Sequence, residues 1–138
     1  MKFSRDVVIS KKLKNLFLIG IILWIIHGIE ELATGFYNID SHVLFVFSFV
    51  KNMTPMASIF LTFQIMFWLA LIVSYFMIKS PKWQLRMMIV PGIIMVYELH
   101  HFYKAIIVGG YYPGLISALA FPIIGFFFWR ELLRIYKK

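Results

Sequence analysis

The sequence predicts an all-α, polytopic membrane protein with four transmembrane helices in an up-down bundle, on three observations. The 138-residue chain is 62% hydrophobic, 19% aromatic and only 14% charged, whereas an ordinary soluble domain is about half apolar and about a quarter charged. Four stretches reach or approach the length of about 20 apolar residues that crosses a bilayer. The net charge of +8 is carried by Lys and Arg residues gathered in blocks between those stretches. So little charge cannot cover a water-facing surface, which excludes a soluble enzyme and a nucleic-acid binder. With no cysteine, the chain has no disulfide, thiolate metal ligand or cysteine nucleophile. Its length suits one domain, 1–138.

The first span, Leu16 to Tyr37, carries charges in its second half and is too long for a cleaved signal peptide. Ser41 to Val50 is apolar but only about ten residues long, which suits an interfacial or re-entrant segment. The second span covers Met56 to Ile78 and the third Met87 to Val108. The fourth begins at Leu115 and, although its apolar part ends at Trp129, can continue as helix to Ile135. Small residues in span one (Gly20, Gly28, Gly35) and span two (Ala57, Ser58, Ala70) permit close helix approach. Pro91 and Pro122 each free a carbonyl and predict kinks in spans three and four. Tyr111-Tyr112-Pro113-Gly114 reads as a tight turn.

Orientation follows from the cations. Lys2, Arg5, Lys11, Lys12 and Lys14 precede span one; Lys79, Lys82 and Arg86 separate spans two and three; Arg130, Arg134, Lys137 and Lys138 follow span four. Twelve of the 14 Lys and Arg residues thus lie on one side, which places both termini in the cytoplasm of a cell whose plasma membrane the chain crosses. Trp83 and Trp129 mark the inner boundary, and Tyr37, Tyr111 and Tyr112 the outer one.

The chain has six acids. Asp6 and Glu131 neighbour cationic clusters and Asp40 falls in an outer loop, but Glu30, Glu31 and Glu98 lie inside spans. A charged carboxylate at the bilayer centre costs about 2.5–3.5 kcal/mol on insertion scales, so three require compensation by protons, cations or a metal ion. His27, Glu30 and Glu31 stand at i, i+3 and i+4, and Glu98 with His101 repeats the i, i+3 spacing, so each group shares a helix face. Counted from Lys14 and Arg86 at about 1.5 Å per residue, both groups lie about 18–26 Å from the same boundary. Imidazoles and carboxylates at one depth suit zinc, iron or manganese, and Glu-x-x-His pairs build metal sites in helical bundles.

The expected ligands are therefore His27, Glu30, Glu31, Glu98 and His101, holding one divalent transition metal (zinc or iron) or a lean pair, with Glu30 or Glu31 as the catalytic base. A proton-sharing polar network of the same residues is the alternative. His100, Gln64, Tyr97 and Lys104 are candidates for the surrounding shell. His42 reads as an interhelix hydrogen-bonding residue.

The His27-x-x-Glu30-Glu31 pattern inside a first span resembles the HXXEE-domain family of small prokaryotic membrane proteins. His101, and Tyr111-x-Pro113-Gly114 followed by the apolar run Leu115 to Gly125 with Pro122, are similar to that family's later elements. The resemblance covers Leu16 to about Phe128. It departs at Glu98, near which the family often has an Asn, so the ligand charge can differ here. The family is largely uncharacterised, so the resemblance implies which residues matter without supplying an activity.

The residues themselves support three functional expectations. The first is a metal-dependent membrane enzyme, a hydrolase slightly ahead of an oxidase, acting on a lipid or other hydrophobic substrate. The second is a proton- or metal-ion-coupled transporter or sensor. The third is a non-catalytic accessory subunit. Expected partners are membrane lipids, a hydrophobic small molecule and, for a pathway of only four spans, further copies of the chain.

Overall fold

The computed structural model describes residues 8–137, so Lys2, Arg5, Asp6 and Lys138 lie outside the described residues. These form helices α1 (Lys11–Thr34), α2 (Ser41–Val46), α3 (Pro55–Lys79), α4 (Pro81–Met87), α5 (Ile89–Tyr97), α6 (His100–Val108), α7 (Leu115–Ala118) and α8 (Phe121–Tyr136), with no strand among them. Three helices are long and apolar enough to cross a membrane: Lys11–Thr34, Pro55–Met77, and Leu115–Tyr136 taken across the α7–α8 junction.

Local chemistry sets the helix ends. Ser10 caps α1 by accepting from the Leu13 N–H at 3.1 Å, and Gly35, at φ 74°, closes it in the left-handed conformation. The first helix therefore stops short of Tyr37, and Phe36–Asn38 form a separate 3-10 turn. Asp40 caps α2. Thr54 caps α3, with Pro55 in its first turn.

The expected third span is interrupted twice. The first break, at Met88, lies three residues before Pro91, which lacks the N–H that would continue the ladder. The second falls at Glu98–Leu99, where α5 ends and α6 has yet to begin. Pro122 acts similarly near the start of α8, and the chain breaks after Ala118, whose carbonyl the proline cannot serve.

The core lies between α1, the interrupted α4–α5 column and α8. Leu13 and Leu16, Leu85, Met88 and Met95, and Phe121, Phe128, Leu132 and Ile135 bury one another there. Gly92 lets the Trp129 ring lie against its backbone, where an added Cβ would meet the indole at 2.8 Å, and Trp129 Nε1 donates to the Gly92 carbonyl at 2.9 Å. At one end of this core Ser10 donates to Glu131 at 2.6 Å, and Arg134 donates to the same carboxylate. This ties the start of α1 to the end of α8.

α3 does not complete a four-helix bundle. None of its described residues is buried, and it packs mainly at its end, where Met77 touches the core and Phe76 meets Trp83 of α4 at 4.9 Å between centroids. The physical reason is compositional: α3 has no charged side chain before Lys79 and no glycine seam, and its Ser58 and Thr62 hydroxyls bond to the Thr54 and Ser58 carbonyls rather than to another helix.

Candidate metal centre

Two helix features create the site. His27 and Glu31, one turn apart on α1, share a face. The break at Glu98–Leu99 turns the Glu98 carboxylate and the His101 ring towards that face. His27 Nε2 lies 3.0 Å from Glu98 and 3.4 Å from Glu31, and His101 Nε2 lies 3.3 Å from Glu31 and 3.5 Å from Glu98. The two imidazoles meet edge to face at 4.7 Å between centroids. One donor atom each from His27, Glu98 and His101 fall within 4.8 Å of one another, and all three residues are buried.

The outer ring nitrogens fix the ring orientations. His101 Nδ1 lies 2.7 Å from the Pro113 carbonyl, which only accepts, so Nδ1 carries a proton and Nε2 is the nitrogen turned towards the two carboxylates. His27 Nδ1 lies 2.7 Å from Ser117 Oγ, and that hydroxyl gives its own proton to Glu30. His27 Nδ1 therefore donates too, and its Nε2 also faces the carboxylates of Glu31 and Glu98.

Neither Nε2 has an aligned hydrogen-bond partner among the described residues, despite carboxylates at 3.0–3.5 Å. Two imidazole Nε2 atoms and two carboxylates thus converge on one point in the fold. Such a point suits a cation: the donors fit a divalent transition metal, and Nδ1–H bonds to a carbonyl and to a serine–glutamate pair are the outer contacts that orient metal-binding histidines.

Glu30 is not brought into this group. One oxygen accepts from the Tyr111 hydroxyl at 2.8 Å and the Ile116 N–H at 3.0 Å. The other accepts from the Ser117 N–H at 2.8 Å and from the Ser117 hydroxyl. The reason is angular. Glu30 and Glu31 project about 100° apart on the helix; the 111–118 segment packs on the first and the α5–α6 break on the second. Glu30 acts on the cluster only through Ser117 and His27.

The other expected residues divide. His100 bonds through Nδ1 to the Tyr97 carbonyl at 3.0 Å and stacks on the Tyr97 ring, with its own ring 4.0 Å from that of His101. It buttresses His101 from outside the cluster. Lys104 donates to Ser41 at 3.3 Å rather than to a carboxylate. Gln64 lies on α3, away from the core helices, and contributes nothing to the cluster.

Several residues that complete the site escaped the sequence reading. Gly114, at φ 84°, lies so close under both imidazoles that a Cβ would meet His101 at 2.6 Å and His27 at 2.7 Å. Phe36 packs on His101 and Phe121 on His27. Asp40, fully buried, accepts from the Tyr112 hydroxyl at 2.7 Å and the His42 N–H at 2.9 Å, which clamps the start of α2 to the turn that carries Pro113 and Gly114. Burial raises the Asp40 carboxyl, but the Tyr112 hydroxyl and the Val43 and His42 N–H groups outweigh it and hold the pKa below its ordinary value. Burial and the adjacent Asp40 push the Tyr112 hydroxyl up. Ser117 carries no signal of its own, and the Tyr-Tyr-Pro-Gly turn marks Gly114 as a turn residue but not as the floor of the site.

Fold and site together define an all-helical protein with three membrane-length apolar helices and a buried histidine–glutamate cluster able to hold a metal ion. Residues 18–128 match the family model described as a protein of unknown function with HXXEE motif. The chain belongs to that HXXEE family, the motif being His27 to Glu31, and the matched region contains the whole site. No curated protein and no solved structure matches the chain.

Proposed function

We propose that the chain is a metal-dependent membrane enzyme acting on a lipid or other hydrophobic substrate, with hydrolysis ahead of oxidation. The observation that carries this reading is the pair of inward Nε2 atoms without aligned partners in a buried cluster. His27, Glu31, Glu98 and His101 would hold the ion. Two carboxylates balance the charge of one divalent cation, which favours one ion over two in a low-dielectric site. The metal would supply Lewis acidity to water or to a substrate oxygen.

The protein's own groups then divide the work. Glu31 is the most open of the four, its side chain 24% exposed against 5% for His27, 10% for Glu98 and 0% for His101. It is positioned to take and return a proton at the substrate. Glu30, with both oxygens occupied, holds Ser117 and so aims His27. His101 is aimed by the Pro113 carbonyl.

In this reading α4 to α6 form a third, interrupted crossing. The chain then has four spans, and the cationic blocks put both termini on the cytoplasmic face of a prokaryotic plasma membrane.

Metal analysis of purified protein tests the proposal. About one zinc per chain supports the hydrolase and about one iron the oxidase, with loss in His101→Ala. A chain that carries no transition metal after expression and titration with either ion overturns the enzyme reading. A metal-free chain that co-purifies with a partner, released by Glu31→Gln, favours the accessory role instead.

A further inference from the structure

The cluster opens in one direction. Glu31 lines a hollow of about 260 Å³ together with Gly28, Leu32, Phe36, Tyr37 and Val43. Leu32, Tyr37 and Val43 also line a cleft of about 1130 Å³ that continues between α2 and the first half of α3. The hollow and the cleft thus share a wall, and the most exposed carboxylate of the site lines the hollow.

The cleft has a polar end and an apolar length. Lys51, in the link between α2 and α3, lines it, and so do Ile59, Phe63 and Met66 along α3. From Pro55 to Met66 the helix rises about 16 Å, and Ser58 and Thr62 join the apolar Ile59, Phe63 and Met66 along its cleft wall. Leu32, next to Glu31 in the chain, and Ile59, one turn into α3, both border the space. Bulk lipid covers any apolar face of a membrane helix. This face differs in having a cation at its mouth and a route to the buried cluster.

We propose that the cleft binds an anionic amphiphile, with its negative headgroup against Lys51, its polar linkage at the level of Glu31, and one hydrocarbon chain lying along Ile59, Phe63 and Met66. The inference deepens the enzyme reading by naming the substrate class. It rests on that reading only for what happens at the linkage, because binding in the cleft needs no metal.

A fatty acid carrying a diazirine midway along its chain, presented to the full chain in nanodiscs of neutral lipid, tests the site, with the matching fatty alcohol as the uncharged control. Photolabelling by the acid should concentrate on residues 44–66. Ile59→Trp, which fills the cleft, should lower it about tenfold, and Met66→Trp should shorten the longest chain accepted. Lys51→Gln should lower labelling by the acid about two- to fivefold and leave the alcohol unchanged. His101→Ala should keep full labelling, so a metal-free protein would sink the enzyme reading and spare this one.

Label spread evenly over α3 and α8, or indifferent to Ile59→Trp and Met66→Trp alike, overturns the proposal. So does a second copy in the cleft, which Ile59→Cys would reveal as disulfide-linked dimers, since the chain has no other cysteine.

Discussion

α1 and α3 are near twins as sequence and opposites as structure. They run 24 and 25 residues, each begins at a hydroxyl cap, and each is apolar enough to cross a membrane. Yet α1 buries Leu13, Leu16, Gly20 and His27, whereas no described residue of α3 is buried. Apolar surface explains neither outcome, because lipid tails are as apolar as leucine and give no reason to leave them. What α1 has in addition is a close-approach glycine, Gly20, whose missing Cβ leaves room for the Met95 methyl, and three polar groups, His27, Glu30 and Glu31, that find partners on other segments. The small residues of α3 do not substitute for these: Ala70 stays exposed and Ala57 and Ser58 are only half-buried.

The comparison breaks most severely at Gly114. Gly114→Ala would place a Cβ within 2.6–2.7 Å of both imidazoles at φ 84°, so the left-handed penalty adds to a clash with the two histidines. We expect a loss of about 2–4 kcal/mol and of bound metal, read by thermal unfolding in detergent and by metal per chain. Gly28→Ala, on the site-bearing helix but with nothing within 4 Å of the added Cβ, should keep the metal and gain up to about 1 kcal/mol. A stable, metal-loaded Gly114→Ala would show that the turn does not press on the cluster.

Much of this contrast was legible in the sequence, and the illegible part has a physical cause. The convergence of His27, Glu31, Glu98 and His101 follows from helical spacing and from equal depth counted along two spans. Rigid counting could not give the break at Glu98–Leu99, which aims Glu98 and His101 and which no proline or glycine at that point announces. Nor could it separate Glu30 from Glu31. Both offsets share a face with His27, and the choice is made by the 111–118 turn, whose Ser117 and Gly114 lie far away in sequence. The standing-off of α3 was illegible for the opposite reason: hydropathy reports that a helix crosses, not what it touches.

The separation of the two glutamates supplies the next prediction. Glu30→Gln keeps the shape but removes the charge that orders Ser117 and, through it, His27. Metal affinity should fall about 10- to 100-fold, the usual cost of losing an outer partner, and Ser117→Ala should cost about the same. The double variant should cost little more than either alone, because the two residues act in one chain of hydrogen bonds. Additive losses would mean that Glu30 reaches the ion by another route. Competitive zinc titration against a fluorescent chelator reads all three.

The smallest effect tests where the pinned region ends. Asp40 is the last fully buried residue before the chain departs towards α3, and its clamp holds α2 to the turn above the site. Its carboxyl, with burial opposing, is held below its ordinary pKa by the Tyr112 hydroxyl and the Val43 and His42 N–H groups. A depressed folded pKa stabilises the protein at pH values above the unfolded pKa of about 3.9, and that stabilisation is lost as pH falls through the folded value. The wild-type protein should therefore exceed Asp40→Asn by about 1–2 kcal/mol near neutrality. The difference should close in acid, below the carboxylate range, as Asp40 takes up a proton. Thermal unfolding of the wild type and Asp40→Asn across that range checks both the size and the sign. If the gap instead widens into acid, Asp40 is held neutral in the fold, and the clamp between α2 and the Tyr112 turn is a neutral hydrogen bond rather than a charged one.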